Sequence, residues 1–173
     1  MKYLIFSGLL LMTTTAGCSS LPGDEYTVYV DPAFGDNYQT VVDSLHAWEL
    51  VTPVKFHIKK KLALCSTGCG YEIGIKASTR AEIEAQAKQY GDHHHPLDVT
   101  AYDIQGVWSN VYLTYDVTKQ AASHEIGHAL GLHHTGYGTL MCATKDCASQ
   151  HITCSDIAQY YELRPHLVNP TCW

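Results

Sequence analysis

Residues 124–134 read HEIGHALGLHH, and this segment constrains the chain more than any other. His124 and His128 are four apart, so on a helix their imidazoles share one face, one turn from each other. That separation suits two neutral nitrogens binding one Zn²⁺. Glu125 lies beside the first of them, where it can reach a water on the metal without itself being a ligand. Gly131 can take a left-handed backbone, end the helix and let the chain turn back. His134 then arrives from outside the helix as a third ligand. Three protein ligands leave a fourth position for water, which separates a catalytic zinc from a structural one. His133 adjoins the third ligand, but the register one turn past Gly131 selects His134. A surface helix with incidental histidines is the plain alternative. A zinc or nickel scavenger would draw on the 11 His of the chain, yet explains neither Glu125 nor Gly131.

Composition narrows the setting. A chain of 173 residues with 46% hydrophobic content suits one domain with its own core. The net charge of −6 gives no footprint for nucleic acid, and 12 Tyr with 3 Trp argue against disorder. Seven Cys beside so many His point to metal chemistry in an oxidising compartment.

The N-terminus reads as a targeting segment. Met1-Lys2 gives a positive start, Tyr3 to Met12 is apolar, and small residues run from Thr13 to Gly17 before Cys18. The apolar run is too short to span a bilayer, so a signal peptide is expected. Thr15-Ala16-Gly17-Cys18 resembles the bacterial lipobox, whose cysteine is diacylated and becomes the new N-terminus. Thr15 stands where that family prefers Leu, and ordinary cleavage after Ala16 is the alternative. Lipidation of Cys18 would leave an even set of six cysteines. The expected organisation is therefore a signal peptide over 1–17, a lipidated Cys18 with a short tether over 18–25, and one domain over 26–173. Ser19 after the cysteine resembles outer-membrane sorting, so the product is expected at the outer membrane or cell surface of a bacterium.

Sequence alone does not fix the pairing of the six cysteines, but spacing gives preferences. Cys65–Cys69 would enclose a Gly-bearing turn, Cys142–Cys147 would brace the segment after Met141, and Cys154–Cys172 would fasten the C-terminal tail. A thiolate zinc site is the rival use, and export favours disulfides.

The periodicities predict an α+β domain. Strands are expected at Tyr26 to Val30, Val54 to Ile58, Tyr71 to Ile75, Val99 to Ile104 and Asn110 to Tyr115. Helices are expected at Thr40 to Leu50, Thr79 to Tyr90, Thr118 to Leu130 and Ser155 to Leu163. Lys59-Lys60-Lys61 reads as an exposed turn. His93-His94-His95, with Asp92 and Asp98, would need a distant partner such as Asp116 to hold a second metal. The bland alternative is a solvated polar loop, and Pro96 makes it a loop either way.

The pattern His124-Glu125-x-x-His128-x-x-Gly131-x-x-His134, followed by Met141, resembles the metzincin clan of zinc endopeptidases. Thr135 after the third His resembles the matrixin branch. Ala47 to Phe56 is similar to the end of the first matrixin helix running into strand two, and Ser155 to Tyr161 to the start of the last helix. The resemblance spans nearly all of residues 25–165. It implies a twisted, mixed five-stranded sheet packed on helices, one of which carries the zinc ligands. It also implies a single catalytic zinc, Glu125 as general base, and Met141 as an apolar floor under the histidines. Substrate would lie extended along an edge strand, for which Val99 to Ile104 is the candidate, an ordinary covered edge being the alternative. The chain departs from the matrixins in lacking a PRCGxPD-like switch and a GGDxHFD segment, and it has no Tyr two residues after Met141. The expected partners are an extended peptide substrate and a membrane reached through the lipid, with the protein a monomer. A non-catalytic surface lipoprotein that uses the fold to bind a protein is the competing reading.

Overall fold

The computed structural model describes residues 25–63, 72–89, 99–102, 108–144 and 147–167. The order of elements is β1 (Glu25–Val30), a 3-10 turn (Pro32–Asn37), α1 (Tyr38–Val51), β2 (Lys55–Lys60), β3 (Glu72–Ser78), α2 (Arg80–Gln89), β4 (Val99–Tyr102), β5 (Trp108–Thr114), α3 (Lys119–Ala129) and α4 (Cys154–Glu162). The strands form one sheet in the order β2-β1-β3-β5-β4. β2, β1, β3 and β5 run parallel, and β4 is antiparallel to β5 at the edge. The class is α+β.

Burial explains the order. In β1 the alternating Tyr26, Val28 and Val30 are buried, with partly buried residues between them. Central β3 is covered more completely, with Ile73, Ile75 and Ala77 all buried, as a parallel strand with neighbours on both sides requires. α1 buries Val41, Ser44, Leu45 and Trp48, a stripe at helical spacing. Burying a side chain such as Leu45 or Val41 contributes about 1.5–3 kcal/mol. The indole N–H of Trp48 donates to the Ser123 carbonyl at 2.9 Å, so α1 is stitched to α3 by a buried polar bond as well as by packing.

Most boundaries fall within two residues of expectation, and three differences have clear causes. α1 begins at Tyr38 rather than Thr40 because it continues a 3-10 turn started by Asp31, whose carboxylate accepts from the Ala33 N–H at 2.9 Å. The lysine turn is displaced: Lys59 and Lys60 belong to β2, paired in register with Tyr29 and Val30. Lys60 lies over the Tyr38 ring and Lys61 over the Tyr29 ring, so aromatic faces extend the strand where charge alone suggested a loop. β3 runs on to Ser78, held by its pairing with the whole length of β5. The proposed targeting segment with Cys18, the pair Cys65–Cys69, the loop His93 to His95 with Asp92 and Asp98, Ile104 at the end of the expected edge strand, and Cys172 lie outside the described residues. No helix among the described residues is long and apolar enough to cross a membrane.

Candidate metal centre

The site grows from the way α3 begins and ends. Thr118 caps its N-terminus, its hydroxyl accepting from the Ala121 N–H. The helix then presents His124 and His128 on one face, with Glu125, 5% exposed, next to the first. At the C-terminus Gly131 takes φ +94°, the left-handed conformation that a side chain would strain. Its N–H and that of Leu132 return to the carbonyls of His128 and Gly127. The guanidinium of Arg164, packed on the Tyr160 ring, donates to the Leu130 carbonyl at 2.9 Å and so ties the helix end to the segment after α4. Gln159 accepts from the His133 N–H at 3.0 Å. The chain is thereby turned back toward α3, carrying His134.

His124, His128 and His134 come together as expected. Nε2 of His128 lies 3.1 Å from Nε2 of His124 and 3.1 Å from Nε2 of His134. The three could hold a metal ion. Two hydrogen bonds fix which nitrogen is available. Nδ1 of His124 donates to the Leu140 carbonyl and Nδ1 of His128 to the Leu132 carbonyl, each at 2.8 Å. A neutral imidazole whose Nδ1 carries the proton has a bare lone pair at Nε2. Two such lone pairs facing each other at 3.1 Å repel unless a cation lies between them. Tetrahedral zinc with nitrogens at 2.0–2.1 Å would set them about 3.3 Å apart, so the cluster is close to the spacing a metal requires. His133 is exposed and outside the cluster. Asp116, proposed as a distant ligand of a second metal, is exposed at the turn after β5.

A second layer holds the first. Met141 is fully buried, and its Sδ lies 2.5 Å from where a Cβ on Gly127 would stand, with the Trp48 ring at 3.0 Å. Gly127 is therefore required by close approach, one residue before His128. The Thr135 N–H donates to the Met141 carbonyl at 2.8 Å, which closes the loop between the third histidine and Met141. Asp156, fully buried in the first turn of α4, accepts from the N–H groups of both Leu140 and Met141 at 3.0 Å. The same carboxylate accepts from the N–H and hydroxyl of Thr153, making a reciprocal cap. One carboxylate thus starts α4 and fixes the backbone whose Leu140 carbonyl orients His124.

The roles of Gly127, Gln159, Arg164 and Asp156 are additions to the sequence reading. Only Asp156 left a trace there, the Thr-x-x-Asp pattern of a helix start. Cys142 and Cys147 form the expected disulfide just after Met141, with Cα atoms 5.9 Å apart. Cys154 is exposed at the first turn of α4 and has no disulfide partner among the described residues; its expected partner Cys172 lies outside them. Comparison of the chain with protein-family models finds no match, and comparison with curated proteins finds none.

Proposed function

We propose that this chain is a zinc-dependent endopeptidase of metzincin-like, matrixin-like architecture. The observation that supports it most is the convergence of three imidazole Nε2 atoms, with Nδ1 of His124 and of His128 each committed to a carbonyl. Zinc held by His124, His128 and His134 would acidify a water and polarise a scissile carbonyl. Glu125 takes the proton of the attacking water and then delivers it to the leaving amine nitrogen, acting as base and then acid. Its burial beside His124 suits that task, because the carboxylate acts where bulk water does not screen it. Met141 closes the floor on the far side of Gly127. β4 is an edge strand among the described residues, and an extended peptide would pair with its outer side as a further strand.

The deciding experiment measures zinc content and peptide-library cleavage for the wild type, Glu125→Ala and His128→Ala. Glu125→Ala should keep one zinc and lose nearly all hydrolysis, while His128→Ala should lose the metal. Retained turnover in Glu125→Ala rejects the mechanism; zinc unchanged in His128→Ala rejects the ligand set. We further propose that Cys18 is lipidated and tethers the domain to a bacterial membrane. Cys18→Ser should then release the chain from the membrane fraction or block its maturation, and a soluble wild-type product starting at Gly17 overturns this.

A further inference from the structure

Four of the 11 basic residues, Lys55, Lys59, Lys60 and Lys61, lie on or directly after one strand, and all four are exposed. That strand, β2, is an edge of the sheet. The carboxylates beside it are bonded to other groups, although Glu49 also feels the charge of Lys55. Glu49 accepts from the Phe56 N–H at 2.8 Å and pairs with His46, and Glu25 faces His57. None of the four lysines has a carboxylate within ion-pair distance, among the described residues. Two of the ammoniums are instead held over the rings of Tyr38 and Tyr29. In sequence an exposed apolar residue precedes and follows the stripe: Leu50, 85% exposed, at the end of α1, and Leu62, 48% exposed, just past Lys61. In a chain of net charge −6 this edge is a local reversal of sign.

Its position relative to the tether gives the reversal a use. Glu25, the first residue of β1, pairs in register with Lys55. Strand spacing puts the two about 5 Å apart, and Lys60 follows about 17 Å further along. The seven residue-to-residue steps from Cys18 to Glu25 span at most about 25 Å when extended. A lipid on Cys18 therefore leaves the β2 edge, which adjoins β1, within reach of the bilayer.

We propose that the β2 edge is a membrane-docking face, its lysines seated on anionic phospholipid headgroups and Leu50 and Leu62 touching the surface. The proposal rests on the reading of Cys18 as the lipid anchor. Charge complementarity selects the occupant, since basic side chains beside an anchor are drawn to anionic lipid within a Debye length. Docking by β2 also orients the molecule. β4 is the opposite edge of the sheet, about 19 Å away across four strand spacings. The edge assigned to substrate then faces away from the bilayer.

The test is a lysine footprint on the full chain, expressed in a bacterium with its N-terminal processing intact and mixed with excess vesicles. One set is phosphatidylcholine alone; the other is an equal mixture with phosphatidylglycerol. Acetylation of Lys55, Lys59, Lys60 and Lys61, read by mass spectrometry, should fall at least about fivefold on the anionic vesicles, the factor one lysine's attraction supplies. Lys119 should label equally on both, and the protection should vanish in about 1 M salt. Lys59→Gln combined with Lys60→Gln should return Lys55 and Lys61 toward their labelling on phosphatidylcholine. Equal labelling of the four lysines on both vesicles overturns the proposal. Protection by added polyglutamate but not by anionic vesicles also overturns it, and assigns the edge to an acidic polypeptide. Failure of the chain to float with phosphatidylcholine vesicles rejects the anchor alone, because the anionic vesicles still read the edge.

Discussion

Asp156 shows how much one carboxylate can fix. It has no place among the three imidazoles, yet two of the N–H groups that it holds belong to the turn orienting His124. Asp156→Asn keeps the volume but places an amide N–H where an acceptor is needed. It should cost about 2 kcal/mol in a urea melt and weaken zinc binding roughly tenfold in chelator competition. Lower stability with unchanged zinc affinity would reduce Asp156 to a helix cap. Gly127 supplies the second case. Alanine in a helix is favoured over glycine by about 1 kcal/mol, but here its Cβ would stand 2.5 Å from Met141 Sδ, and both Met141 and Trp48 are fully buried. Overpacking of that kind costs about 1–3 kcal/mol, so the clash should outweigh the propensity and lower the melting temperature of Gly127→Ala. A melting temperature above wild type would show that Met141 can move aside.

At the scale of elements, the joints between neighbours carry measurable energy. Glu49 links α1 to β2 by accepting from the Phe56 N–H. Partial burial opposes its ionisation, but the Phe56 N–H, the hydrogen bond and charge of His46, and the charge of Lys55 prevail and hold its carboxyl below the usual range. A pKa lower in the folded than in the unfolded state contributes stability above the unfolded value, lost as pH falls through the folded one. Glu49→Gln should therefore flatten the decline of the urea midpoint between about pH 5 and pH 3; an unaltered acid limb would show that the joint carries no such linkage. The Cys142–Cys147 disulfide closes a short loop directly after Met141. Chain entropy puts its contribution at about 2 kcal/mol, so Cys142→Ser with Cys147→Ser should melt lower by a corresponding amount. These elements differ in how well the sequence announced them. The stripe Val41, Leu45, Trp48 and the alternation of β1 are local patterns, and they predicted α1 and β1 directly. The contact of Met141 with Gly127 and the reach of Asp156 to Leu140 join residues 14 to 16 apart that no period relates. The three histidines were legible because their spacing is itself the geometry. What orients them was not, because it depends on how α4 docks.

For the whole molecule, parallel strands in the interior and an antiparallel β4 at one edge give the sheet two unlike borders. One border is lysine-rich and adjoins the start of the domain; the other lies beyond β5, the strand that leads into α3. The proposed attachment and the proposed substrate edge are thus set at opposite borders of the sheet. The buried carboxylate of α4 carries one more consequence, which concerns time rather than space. A chain still leaving the ribosome possesses His124, His128 and His134 before it possesses Asp156. Until α4 emerges and docks, the Leu140 carbonyl has no fixed place and His124 no fixed ring orientation. The nascent polypeptide therefore offers three loosely held imidazoles, and the oriented cluster is assembled only once α4 has emerged and docked.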